Sequence, residues 1–283
     1  MPGLTAAGSK KLNDHISLSA VYTLPVLSAG LVTGTLNATT NGTEVTGGAG
    51  AQYVGYARKA FTIGSWGAIT NAPTTSYQLL YGGADIDFGT AGAGSTGCTI
   101  TGMVIYDAGG LAIWWEPLSV IASTGTHVSF AANQIQTSLT TFGNGGVANT
   151  GLSATYASGM LGHMTGKTAF AQPAGVFVAL CTTVATGAGI GTEAAYTGYG
   201  TTTARPAAGL AAATVAAPSL VVPSAQINFG ASTSAETEVA FALMDNTAKG
   251  SGAMIAAGTV SSGAITAGLT PDFTTAQQLL SQG

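Results

Sequence analysis

Residues 151–183 read GLSATYASGMLGHMTGKTAFAQPAGVFVALCTT, and they restart the chain. Residues 3–33, GLTAAGSKKLNDHISLSAVYTLPVLSAGLVT, run in parallel with them. Gly3-Leu4-Thr5-Ala6 meets Gly151-Leu152-Ser153-Ala154, His15 meets His163, and Pro25 meets Pro173, at a constant offset of 148. A constant offset over such a span identifies a tandem duplication, which decides the domain count before any other signal does. Residues 1–140 form a first β-domain, 141–150 a Gly/Asn/Thr linker, and 151–283 a second, homologous β-domain.

Outward from the repeat, short apolar or β-branched runs alternate with turn residues. Ser9–Ile16 has the one-faced pattern of a short helix, and Val26–Thr33 reads as a strand after Pro25. Tyr53–Ile63, aromatic and β-branched, reads as a strand carrying Arg58. Thr99–Tyr106 is the most apolar strand signal, and the Asp107-Ala108-Gly109-Gly110 turn leads to Leu111–Val120 as its hairpin partner. Thr126–Phe130 alternates, and Thr274–Ser281 fits either a helix or a last strand. Many short strands with frequent turns indicate an all-β chain: two tandem sandwich or barrel-like domains, each preceded by a short helix and each with its own core.

Composition narrows the role. Charged residues make up 6% of the chain while 46% is hydrophobic, which excludes disorder. Seven Lys plus Arg and a net charge of −4 argue against nucleic acid. No uncharged run holds the roughly 18 apolar residues of a membrane span, and no signal-type segment opens the chain. Cys98 and Cys181 do not occupy matching positions, so free thiols are expected rather than a disulfide. A charge-poor surface seeks neighbours, so a homo-oligomer is expected, with a trimer as the specific guess. Pro117–Gly166 lacks Asp, Glu, Lys and Arg altogether and is the candidate contact surface, with Trp114 or Trp115 as its aromatic anchor.

Short motifs carry a resemblance. Asn13-Asp14-His15, Tyr22-Thr23-Leu24-Pro25, Gly42-Thr43-Glu44-Val45 and Tyr56-Ala57-Arg58 resemble a family of tailed-bacteriophage virion proteins of the tail-fibre or capsid-associated type. Val176–Thr183 supplies a further part of that pattern in the second copy. The chain departs from the pattern in being doubled, and in having Thr203-Ala204-Arg205 where the family has Tyr-Ala-Arg. The resemblance implies a non-enzymatic, all-β, oligomeric virion component, assembled in the host cytoplasm. Its partners would be the major capsid protein or other virion proteins. Capsid decoration or cement is the first expectation, and a tail fibre or adhesin binding a host glycan is the alternative.

Four polar positions recur between the halves: His15/His163, Glu44/Glu193, Arg58/Arg205 and Asp107/Asp245. Glu44–Arg58 and Glu193–Arg205 are expected to be buried framework pairs, and each Asp to accept backbone N–H groups in its turn. The two histidines sit beside apolar residues, as packed imidazoles rather than metal ligands. No nucleophile–base spacing or metal-ligand cluster recurs, so no catalytic residue, cofactor or metal site is assigned. Asp85 and Asp87 could face a hard cation, but the second copy has Gln226 and Asn228 there. Trp114-Trp115-Glu116 combines aromatic faces with a carboxylate, which also suits a sugar.

Overall fold

A computed structural model describes residues 3–72, 76–140, 150–186, 189–196, 198–199, 204–216, 219–232, 234–277 and 279–282. The linker assigned to 141–150 lies almost wholly outside these. Among the described residues the chain is all-β with two helices.

Each half opens on a short strand, Gly3–Leu4 or Thr150–Leu152, that a hydroxyl residue converts into a helix. Thr5 stays extended while its Oγ1 accepts the Gly8 N–H at 2.9 Å, and Ser153 Oγ accepts the Tyr156 N–H at 3.3 Å. Each side chain satisfies a donor that the first helical turn leaves without a partner. The helices Ala6–Ile16 and Ala154–Met164 follow, eleven residues each.

The main sheets repeat pairing by pairing. In the first half the order is Gly3–Leu4, Ala112–Ala122, Cys98–Tyr106, Ser28–Leu36, Asn41–Glu44, all antiparallel, with Lys59–Ala60 also on Ser28–Leu36. In the second half it is Thr150–Leu152, Met254–Ile265, Glu236–Met244, Phe177–Cys181. Single bridges, Cys181 to Glu193 and Phe177 to Ala207, stand where the outer strands were. The central pairs even share their irregularities. Register shifts fall between Ile100 and Gly102 and between Ile105 and Tyr106, and again between Glu238 and Ala240 and between Leu243 and Met244. Smaller antiparallel pairs complete each half: Ile86–Thr90 with His127–Phe130 and Ser76–Leu80 with Gln136–Thr140, then Ile227–Asn228 with Asp272–Phe273 and Ser219–Val221 with Leu280–Gln282. The ambiguous C-terminal segment therefore ends as a strand.

Tyr53–Ile63 is mostly not a strand. Residues 51–55 are turns, and strand pairing is limited to Lys59–Ala60. Its apolar character comes from Tyr53 and Phe61, which drop into the core from a loop, at 0% and 4% exposure.

The helices decide the assembly of the halves. Helix Ala6–Ile16 lies on its own Ala112–Ala122 and also on Ser219–Val221 and Leu280–Gln282 of the other half. Helix Ala154–Met164 lies on its own Met254–Ile265 and on Ser76–Leu80 and Gln136–Thr140 of the first half. Each half thus closes the other, and one continuous apolar cluster runs from Leu31 and Leu79 through Leu12, Leu152 and Met160 to Val221 and Phe241. Among the described residues the main core is shared, because each helix buries its apolar face against both halves, while two smaller clusters, around Val32 and Val104 and around Ala179 and Met244, each stay within one half. The same packing explains much of Pro117–Gly166. Helix Ala154–Met164 lies inside that run and buries Tyr156, Met160, Leu161 and Met164, so its lack of charge reflects an internal contact.

Candidate functional site

Near the C-terminal ends of the two helices the two histidines meet. Their rings are 4.8 Å apart between centroids and tilted by 34°. His15 Nδ1 accepts the Tyr22 N–H at 3.1 Å, and His163 Nδ1 accepts the Phe170 N–H at 3.0 Å, seven residues downstream in each copy. An Nδ1 that accepts leaves the proton on Nε2. His15 Nε2–H then donates to Phe170 O at 3.0 Å, and His163 Nε2–H to Tyr22 O, each reaching into the opposite half. The exchange is reciprocal, the mark of a pseudo-two-fold contact. Burial, and for His15 also the neighbouring His163, pushes both imidazoles below the usual histidine range. Further cross-links surround the pair: Asn13 Nδ2–H to Ser219 O at 3.0 Å, Ala213 N–H to Asp14 Oδ1 at 2.9 Å, and Gln172 Nε2–H to His15 O at 3.0 Å.

A second recurring unit clamps the edge of each main sheet. Arg58 donates Nε–H and Nη2–H to the two oxygens of Glu44, at 2.8 and 2.7 Å. Tyr56 Oη–H joins on Glu44 Oε1 at 2.8 Å and accepts the Leu31 N–H at 3.0 Å. Arg205 repeats the fork on Glu193 at 2.8 and 2.9 Å. There the phenol is Tyr199, at 2.6 Å from Glu193 Oε1 and 3.3 Å from the Leu180 N–H. The second copy keeps the clamp without a tyrosine two residues before its arginine, because Tyr199 enters the same place from six residues before it. Thr203 lies outside the described residues.

The clamps differ in burial. Side-chain exposure is 34% for Arg58 and 30% for Glu44, against 1% for Arg205 and 8% for Glu193. The expectation of a buried pair therefore fails for the first copy, where Arg58 instead lies over the Tyr106 ring at 3.7 Å. Arg205 has further acceptors in Asn246 O and Ser251 O, at 2.8 and 2.9 Å. The hydrogen-bonded Arg58 holds the Glu44 carboxyl below its ordinary range. Burial alone would raise Glu193, but the bonds from Arg205, Tyr199 and Gly250 outweigh it and hold it low.

Asp107 Oδ1 accepts the Leu111 N–H at 2.9 Å, and Asp245 Oδ1 accepts the Ala253 N–H at 2.7 Å, each closing its hairpin. Trp114 and Trp115 point to opposite faces of their strand. Trp114 is 1% exposed within the main core, so it is not a surface anchor. Trp115 is half-buried against Val32 and Val104 on the other face. Asp85 Oδ1 accepts the Ala132 N–H, and Asp87 accepts the Gly89 N–H and sits 3.1 Å from exposed His127, so both carboxylates are already engaged. Among the described residues no three His, Cys, Asp or Glu side chains converge as a metal site, and both cysteines are free thiols.

The model of the family described as Podophage GP4 fiber I protein gp80 matches the chain twice, over residues 3–138 and 151–280. The chain belongs to this family. It is thus a phage virion structural protein of fibre type, carrying the family's unit in duplicate. No curated protein matches the chain. No helix among the described residues is long and apolar enough to cross a membrane. The recurring polar residues of the family unit hold strand edges, hairpins and the contact between halves.

Proposed function

We propose that the chain is a non-enzymatic building block of a phage fibre, in which two family units are locked into one rigid body that joins other virion proteins. The observation that carries this reading is the reciprocal packing of the two helices, in a chain whose family is a fibre protein. A part that transmits load or fixes an angle needs two units that do not swing, and a shared core supplies that. The recurring charges support a framework role, since each is consumed by a fork or a turn. Association with further copies follows from a chain in which only 6% of residues are charged, and a trimer remains the specific proposal.

Capsid decoration is the second reading. It is favoured by the shape of the unit, since two interlocked β-modules make a block rather than a shaft. Gold-labelled antibody against the chain on intact virions separates the readings. The fibre reading expects label confined to the tail or to discrete projections, whereas label spread evenly over the head would replace it with decoration. The purified chain is expected to release no reducing sugar from host envelope, and release would overturn the non-enzymatic reading.

A further inference from the structure

In the second half a cavity of about 420 Å³ opens beside the main sheet. Its floor is Phe229, Phe241 and Phe273, all buried, and its rim includes exposed Leu269, Thr270 and Gln277. Glu238 lines it, 3% exposed; among the described residues its carboxyl oxygens meet no backbone donor and no cation, and the side chain beside it is a second carboxyl, Glu236.

The duplication supplies a comparison. The first half has a cavity of about 270 Å³ at the equivalent place, bounded by Met103, Leu118, Phe130 and Gln134 where the second has Phe241, Val260, Phe273 and Gln277; its own carboxyl, Glu116, comes from the neighbouring strand and is less buried than Glu238. At the residue just before the first register shift, the first half carries Ile100 and the second carries Glu238. Opposite Ile105 stands Trp114, whereas opposite the matching Leu243 stands Ala256. The second half has therefore exchanged a tryptophan for alanine and an isoleucine for glutamate. The fold needs neither change, since Ile100 fills the same role at 0% exposure.

A buried carboxyl whose near neighbour is a second carboxyl is costly to ionise unless a cation arrives to meet it. A planar cation fits what the cavity offers: a fork for both oxygens and a flat face for the phenylalanine rings. A sugar would need several donors and acceptors for its hydroxyls, and Asp272 at the wall is already bonded to Gln226. The chain uses the same chemistry internally, with Arg58 forked onto Glu44 and stacked on Tyr106. Its own nearby cation, Lys249, donates to Ala194 O and makes no hydrogen bond to either Glu238 oxygen.

We propose that this cavity binds a guanidinium group, an arginine side chain presented by a partner chain, with Glu238 as its counter-ion. The site stands whether the chain sits on a fibre or on the shell. Burial, and then the neighbouring Glu236, push the Glu238 carboxyl up to about 7, with Lys249 acting the other way and the Tyr196 phenol nearby. An arriving cation restores its ionisation, so binding tightens as pH rises through that value.

The test is a titration of the full chain, labelled with ¹³C at glutamate, with N-acetyl-arginine amide at pH 8. The expected result is a saturable shift of the Glu238 carboxyl resonance, absent with the neutral isostere N-acetyl-citrulline amide. Binding of the same probe, followed by calorimetry, should weaken on the order of tenfold or more in Glu238→Gln. Glu238→Ile, which copies the first half, should keep the fold and lose binding altogether. An equal response to the citrulline compound, no saturable shift, or undiminished binding in Glu238→Gln would each overturn the proposal. Tighter binding of methylguanidinium than of the arginine amide would overturn the partner-chain source.

Discussion

At the residue scale, the two Glu–Arg–Tyr clamps form an internal experiment on burial. The same fork is nearly closed to water around Arg205 and about one-third open around Arg58. Removing one member of a buried pair strands the other, at about 3–5 kcal/mol, while an exposed pair contributes about 0–1 kcal/mol. Arg205→Ala should therefore destabilise the chain by several times more than Arg58→Ala in denaturant titration, and equal losses would contradict the burial argument. The charge pairs were legible in the sequence, because so few charges exist that recurrence in register stands out. The phenol was legible in one copy alone: Tyr56 sits two residues from Arg58, whereas Tyr199 is six residues from Arg205 and shares no spacing with it. For Trp114 and Trp115, alternation says that neighbours face opposite ways, but not which of the two faces the main core; that Trp114 does leaves Trp115 as the one candidate anchor of the pair.

At the element scale, the first helix depends on close approach to its own sheet. A Cβ on Gly8 would stand 2.4 Å from Ile113 O, so the glycine lets the helix backbone touch the strand. Gly8→Ala should cost about 1–3 kcal/mol through overpacking, while Gly48→Ala, in open space, serves as the neutral comparison in the same thermal melts. Removing the cap by Thr5→Ala should cost about 1–2 kcal/mol, since Thr5 is fully buried and its hydroxyl also donates to Ala112 O at 2.6 Å. Strands Cys98–Tyr106 and Ala112–Ala122 were readable from apolar runs around an Asp-Gly turn. The loop at 51–55 was not, since its aromatic residues enter the core without strand pairing and periodicity cannot tell the two apart.

At the scale of the whole molecule, the sequence announces two units but not that they exchange helices. Nothing in a repeat says whether an apolar helix face is satisfied at home or next door. The His15–His163 contact makes the exchange testable by pH. Both imidazoles titrate lower in the folded chain than in the unfolded one, so the unfolded state binds more protons as pH falls. Their contribution is intact above the unfolded value of about 6.5 and is lost as pH drops below it toward the folded values. Glu238 acts with the opposite sign, because its folded carboxyl titrates near 7, above its ordinary value, and favours folding as it protonates. In a Glu238→Gln background the melting temperature should therefore fall as pH drops below 6.5, and His15→Gln with His163→Gln should flatten that slope. An unchanged slope would mean that the two imidazoles are not held below their ordinary range at the contact between halves. The measurement that tests the interlocked body most directly is calorimetric unfolding of the full chain at neutral pH. One shared core predicts a single transition whose calorimetric and van't Hoff enthalpies agree. Two resolved transitions, one per copy, would show halves that fold apart and would contradict the account.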